Sequence, residues 1–109
     1  MIISNVPRPD WTPLPVDGCV GVEGRVLFTD SKLVLAMLRL KPDGTIHEHA
    51  ADWNIHAICI EGEGYVSVDD EIAELRAGQS VEWPAGKRHR LWTEGTSMVT
   101  LMLEHVERR

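Results

Sequence analysis

The chain has 109 residues, of which 43% are hydrophobic and 26% are charged, a composition typical of one globular domain. Its formal net charge of −6 argues against a nucleic-acid partner, because binding to phosphates requires clustered Lys and Arg. No apolar stretch approaches the roughly 20 residues that a membrane-spanning helix needs. We therefore expect a cytoplasmic protein that has neither a membrane nor a nucleic-acid partner.

The first 17 residues predict an extended arm. Pro7, Pro9, Pro13 and Pro15 each remove a backbone donor and restrict the preceding residue, which disfavours a helix. Trp11 lies in the middle of this segment. Its large apolar ring indicates that the arm packs either on the rest of its own chain or on a second subunit.

From Val20 onward, short apolar runs are separated by turn residues rich in Gly, Asp and Pro. Several runs alternate apolar and polar side chains, which is the period of a strand. Regularly spaced short strands favour an all-β sandwich or barrel. The predicted strands are Val20–Phe28, Leu33–Leu40, Ile55–Ile60, Tyr65–Val68, Ile72–Leu75, Ser80–Trp83, His89–Trp92 and Met98–Leu103, with breaks that include Pro42–Gly44 and Glu61–Gly64.

The most specific motif runs from Gly78 to His89. Five residues follow the glycine, then come Pro84, Ala85 and Gly86, two further residues and the histidine. Gly78 permits a tight turn into a strand, and the Pro-x-Gly sequence makes the turn out of it. The returning strand would then direct His89 into the interior of a barrel.

A second motif, His47-Glu48-His49, places two histidines two residues apart. On a strand, alternate residues face the same side, so the two imidazoles project together while Glu48 points away. Two adjacent imidazoles on one face are what a metal ion needs from a strand.

The two motifs together resemble those of the cupin superfamily. Every fixed spacing between Gly78 and His89 agrees with the second cupin motif, and Thr93 stands where that motif has a structural asparagine. The resemblance covers about residues 33–104. It implies a cupin-type double-stranded β-helix, which is a jelly-roll β-barrel.

This fold predicts one domain over residues 1–109, with the extended arm at 1–17 and the barrel at 18–105. Cupins of this size commonly pair through their sheets, and a proline-rich arm suits exchange between subunits. A homodimer is therefore the expected assembly.

The resemblance also implies a mononuclear metal site that is formed by His47, His49 and His89. Imidazole ligands suit divalent zinc, iron, nickel and copper, and suit manganese less well when no carboxylate is present. The metal would be a divalent transition ion of this group (Zn, Fe, Ni, Cu or Mn).

The glutamate ligand of the first cupin motif is missing, because its two possible positions hold Trp53 and Asn54. His56, Asp52 and Asn54 are the alternatives for the vacant place. His56 would complete an all-nitrogen site, whereas Asp52 would restore a carboxylate.

A small metal-binding cupin that acts on a small polar molecule is the first functional hypothesis, with dioxygenase or isomerase/lyase chemistry. Glu82 is a candidate for proton transfer, because it precedes Pro84 on a strand that borders the cavity. The alternative is a non-enzymatic cupin, which either binds a small molecule or forms a structural dimer around a degenerate metal site.

Overall fold

The structure is a computed structural model that describes residues 1–5, 10–14 and 17–107. Pro7, Pro9 and Pro15 of the predicted arm lie outside the described residues. The described residues form eight strands: β1 (Thr12–Pro13), β2 (Val20–Thr29), β3 (Val34–Ala50), β4 (Asn54–Val68), β5 (Glu71–Arg76), β6 (Ser80–Trp83), β7 (Arg88–Trp92) and β8 (Met98–His105). The predicted all-β class is confirmed.

Four of these strands close the predicted barrel. β3 pairs with β7, β7 with β4, β4 with β8, and β8 again with β3, all antiparallel. Three further strands extend this ring: β5 and β6 pair with β4, and β2 pairs with β3. A ring of paired strands leaves few open edges and has two ends at which a site can form.

The predicted breaks at Pro42–Gly44 and Glu61–Gly64 are wrong, since β3 and β4 continue through them. Both segments are bends inside long strands. Asp43 has a φ of 61° and Gly62 a φ of 76°, and the pairing of β4 with β8 shifts register between Cys59 and Glu61. A bulge of this kind turns a strand without ending it. Each long strand can therefore pair with different strands before and after its bend: β3 with β8 and then β7, and β4 with β6 and β8 and then β5 and β7.

The core fills the inside of the ring. On β4 the inward side chains are Ile55, Ala57 and Cys59, which are at most 4% exposed, while the residues between them are more open. The same alternation on β7 buries His89 and Leu91. His89 is therefore a buried histidine within a mainly apolar interior.

Within the described residues, no helix has the length and hydropathy that crossing a membrane would require.

Candidate functional site

The strand that carries His47 and His49, β3, pairs directly with the strand that carries His89, β7. On β3 and β7, Ile46 lies opposite Leu91, and His49 lies opposite His89. Ile46 and His49 are three positions apart on β3, whereas their partners on β7 are two positions apart. β3 therefore has a bulge between Ile46 and His49. Because of the bulge, His49 faces the same side as the buried Ile46. Without it, residues three positions apart on a strand would face opposite sides.

The rings of His47, His49 and His89 form one cluster. The ring centroids of His47 and His49 are 5.5 Å apart, and those of His49 and His89 are 4.5 Å apart. His47 is exposed, His49 is half-buried and His89 is only 2% exposed. The cluster thus runs from the surface into the barrel.

His49 is oriented by its own strand. Its Nδ1 lies 2.8 Å from the carbonyl oxygen of His47, to which the Nδ1–H donates. This bond assigns the proton to Nδ1 and leaves Nε2 with a free lone pair. A histidine that binds a metal usually donates its other ring N–H to a carbonyl or carboxylate in this way.

His89 is held by an aromatic stack. Its ring lies parallel to the ring of Trp83, with 4.2 Å between centroids and an interplanar angle of 4°. Trp83 is itself 1% exposed, so the stack is part of the core. The imidazole of His89 therefore has a set orientation before any ligand arrives.

Burial lowers the pKa of His89 to about 4, and the neighbouring His49 acts in the same direction. A contact with the Lys87 backbone acts in the opposite direction and raises the pKa. This contact does not have the geometry of a hydrogen bond to Nδ1. The ring is thus neutral near pH 7. Nδ1 of His89 and Nε1 of Trp83 are buried and lack a hydrogen-bond partner within the described part of the chain.

Two contacts position the exposed end of the cluster. Gly18 lies so close to His47 that a Cβ built on it would be 2.7 Å from the Cβ of His47. Beside it, Arg88 Nη1 is 3.3 Å from a carboxylate oxygen of Glu48, which links β3 to β7 between the histidines. Glu48 thus points to the surface, as the alternation predicts.

Three imidazoles have the donor chemistry that zinc, copper, iron or nickel prefers. The orphaned Nδ1 of the neutral His89 and the free Nε2 of His49 fit such a group. In the geometry of the described residues, no set of three or more His, Cys, Asp or Glu side chains is close enough to hold a metal ion. Binding would require the rings to turn toward a common point.

The remaining candidates lie elsewhere. His56 is on the outward face of β4, where its Nδ1 is 3.0 Å from Nε2 of His105. Asn54 uses its side-chain oxygen to accept a hydrogen bond from the Ala85 amide, and Asp52 is exposed. The structure therefore does not bring His56 or Asn54 into the cluster of His47, His49 and His89.

Glu82 is likewise on the outer surface. Its neighbour Trp83 takes the inward position on β6, and the Glu82 side chain is 58% exposed. One carboxylate oxygen is 3.9 Å from Nε2 of His56. Glu82 thus belongs to the surroundings of His56 and not to those of His89.

The family model of the cupin domain matches residues 36–104, which is more than half of the chain and includes all three histidines. The chain belongs to the cupin family. No curated protein matches the sequence of this cupin.

Solved structures share the cupin fold over most of their length. The polyketide cyclase RemF from Streptomyces resistomycificus has 21% identity and a TM-score of 0.87, over 98% of this chain and 82% of that chain. KdgF from Halomonas sp. has 17% identity and a TM-score of 0.77, over 99% and 96%. An RmlC-like cupin from Shewanella frigidimarina has 22% identity and a TM-score of 0.75, over 82% and 79%. At these identities the likeness shows the fold alone.

Sequence reasoning missed two residues of the site, Gly18 and Trp83, and one contact outside it. Gly18 carries no motif, and its contact with His47 arises only in three dimensions. The inward direction of Trp83 could have been inferred, because it lies two residues from Val81 on a strand that ends in the Pro84 turn. The pairing of His56 with His105 joins residues 49 positions apart and has no local signal.

Proposed function

We propose that this cupin binds one divalent transition metal through His47, His49 and His89 and acts on a small polar molecule beside it. The observation that supports this most is the pairing of His49 with His89 across β3 and β7, with His47 5.5 Å from His49. Three of the five histidines in the chain thus meet at one end of the barrel.

In this proposal the three histidines have different tasks. His89 supplies a neutral imidazole whose direction is set by the Trp83 stack, so it changes little when a ligand binds. His49 presents Nε2, because its Nδ1–H is held by the His47 carbonyl. His47 is exposed and is the ring that turns to complete the site. Such preorganisation lowers the entropy cost of binding.

When bound, the metal would supply Lewis acidity or an oxygen-binding position, which suits a dioxygenase or an isomerase/lyase. The buried Nε1–H of Trp83 is a donor for a ligand oxygen that enters the barrel.

A second candidate function is a non-enzymatic cupin that binds a small molecule without a metal. It is favoured by Asn54, which stands at a possible position of the missing glutamate and is already engaged by the Ala85 amide. Under this hypothesis His89 and Trp83 would bind the ligand through their unpartnered nitrogens.

The test is metal content measured by elemental mass spectrometry on untagged protein, as purified and after exposure to Zn²⁺, Fe²⁺, Ni²⁺, Cu²⁺ and Mn²⁺ in turn. We expect about one tightly held equivalent of a preferred metal. The variant His47→Ala/His49→Ala should lose it, and both substitutions are at residues that are not fully buried, so the fold is kept.

The matched control is His56→Ala/His105→Ala, which removes the same number of imidazoles from the outer face. This control should retain the tight equivalent. Native protein that holds no metal and takes up none at residues 47, 49 and 89 would overturn the proposal and leave the metal-free binding protein as the better account.

A further inference from the structure

The two histidines outside the cluster form a pair of their own on the barrel surface. Asn54 of β4 lies opposite His105 of β8, so His56 is the diagonal neighbour of His105 on the same face. The distance between His56 Nδ1 and His105 Nε2 is 3.0 Å, and the two rings are nearly perpendicular at 82°. One nitrogen donates a proton to the other.

This pair is separate from the cluster of His47, His49 and His89. The neighbours of His56 on β4, Ile55 and Ala57, point into the core and are 4% and 0% exposed. His56 therefore points outward, with 39% of its side chain exposed. A ligand reaches it from solvent without entering the barrel.

The surroundings of the pair favour a cation over an anion. A carboxylate oxygen of Glu82 lies 3.9 Å from the far nitrogen of His56, and Glu107 lines the same groove. Lys32 is the opposing charge at this groove, whose volume is about 550 Å³. At this distance Glu82 makes no hydrogen bond, but its carboxylate lies on the side of His56 away from His105, where carboxylates stand behind metal-binding histidines.

We propose that His56 and His105 chelate a divalent copper or nickel ion at this surface groove. Cis ligands on a square-planar ion with bonds of about 2 Å are about 2.8 Å apart, whereas tetrahedral zinc separates them by about 3.3 Å. The observed 3.0 Å lies between the two values, so the choice of metal rests on the preference of nitrogen ligands, whose affinity is highest for Cu²⁺ and high for Ni²⁺ among the divalent ions. When the ion takes the place of the proton between the two nitrogens, the ring that donated it carries a proton on its other nitrogen instead, by exchange with solvent. Both imidazoles then bind as neutral ligands with no net proton released, and water fills the other positions.

The test is a titration of the wild-type protein with Cu²⁺ alone, followed by ¹⁵N and ring-proton NMR. Paramagnetic Cu²⁺ should broaden the signals of Asn54, His56 and His105 at about one added equivalent beyond the tight site. His56→Ala and His105→Ala should each abolish this broadening. Glu82→Gln keeps the shape of the side chain and should lower the affinity of this site for Cu²⁺ about tenfold. The group behind a metal-binding histidine contributes roughly 10- to 100-fold to metal affinity.

The variant His47→Ala/His49→Ala separates this inference from the proposed function. Broadening at His56 and His105 that persists in this variant supports the surface chelate, whatever the barrel site does. Broadening confined to His47, His49 and His89 would overturn the surface chelate and leave the proposed function intact. Broadening at Asn54 and His105 that persists in His56→Ala would equally overturn it.

Discussion

His89 is a buried residue with a titratable side chain, so the stability of the fold depends on pH. The chain buries the ring against Trp83 and leaves Nδ1 without a partner, so the charged form is disfavoured in the folded state. The folded pKa of about 4 is below the unfolded value of 6.5. Between these values the unfolded chain binds a proton that the folded protein excludes.

We therefore predict that the metal-free protein loses stability as the pH falls from about 6.5 to 4. A shift of this size corresponds to about 3 kcal/mol at most, at 1.36 kcal/mol per pKa unit. Denaturant unfolding in the presence of a chelator, at pH 7, 6, 5 and 4, measures it. His89→Gln removes the titrating group, so its stability should fall less over the same interval. Equal slopes for the two proteins would contradict the prediction.

Gly18 is the residue outside the motifs that bears most directly on the candidate site. A side chain at this position meets the Cβ of His47 at 2.7 Å, and the backbone has a φ of +84°. Gly18→Ala should therefore move His47 and weaken metal binding about tenfold or more, a loss of about 1.4 kcal/mol.

Gly78→Ala is the control for Gly18→Ala, because its φ is +89° and nothing lies within 4 Å of the added Cβ. Both variants carry a left-handed backbone cost of roughly 1–2 kcal/mol, but only Gly18→Ala should change the affinity and the His47 ring signals. Calorimetric titration and NMR measure these two quantities. The same affinity in both variants would show that Gly18 does not position His47.

At the scale of elements, one buried hydroxyl reinforces the pairing of β3 with β7. Thr93 directly follows β7 and is 3% exposed. Its Oγ1 accepts a hydrogen bond from the Gly44 amide at 3.0 Å and donates one to the Lys41 carbonyl at 2.6 Å. The bend of β3 that precedes the two histidines is thereby attached to the end of the strand that carries His89.

Thr93→Val keeps the shape of the side chain and removes both bonds, which leaves a buried amide unsatisfied. We predict a loss of about 2 kcal/mol or more in the free energy of unfolding, since each unsatisfied buried group costs roughly 1–3 kcal/mol. Thr96→Val removes a bond to the Glu63 carbonyl at an exposed position and should cost less than about 1 kcal/mol. Chemical denaturation compares the two, and equal losses would contradict the assigned role of Thr93.

The elements also show how far the sequence could be interpreted. The spacing from Gly78 to His89 predicted β6, the turn and β7, because these depend on local turn chemistry. The segments at Asp43 and Gly62 were predicted as breaks, because left-handed residues end a strand in some contexts and bend it in others. Only pairing with different partners on each side decides between the two, and pairing is not local.

The candidate site divides in the same way. His47 and His49 could be grouped from their spacing, and His89 from the second cupin motif. His56 could not be placed, because its distance from His105 depends on the register of β4 against β8. A one-residue change of register would turn its ring to the other face.

At the scale of the whole molecule, the apolar side of β2 continues past the part that other strands of the chain bury. On β2, Val22 is 5% exposed, but Val26 and Phe28 farther along the strand are each 48% exposed. Val22 and Val26 lie opposite Leu40 and Ala36 of β3, so both belong to the same apolar side of the sheet. The register then shifts, so Phe28 lies opposite Leu35 and faces the other side of the sheet from Val26. The half-exposed apolar side chains at this end of β2 favour contact with a partner surface.

Trp11 does not provide that cover. Its ring lies against the guanidinium groups of Arg25 and Arg39 of its own chain, at 4.3 and 4.5 Å from the ring centre. In the described part of the arm, β1 pairs with Glu23 and Gly24 of β2, and Leu14 bonds to Val22. The remaining exposed side chains of β2 are thus available to a second copy of the chain.

We therefore predict a homodimer whose contact includes Phe28. Fully burying one Phe side chain stabilises by roughly 1.5–3 kcal/mol, so Phe28→Glu should raise the dissociation constant of the dimer by at least tenfold. Sedimentation velocity over a concentration series measures this. Ile72→Glu is the matched control, because Ile72 is 69% exposed on β5, which pairs with β4 and not with β2. A dimer that resists Phe28→Glu and dissociates with Ile72→Glu would place the contact on the opposite side, and a monomer at every concentration would exclude the assembly.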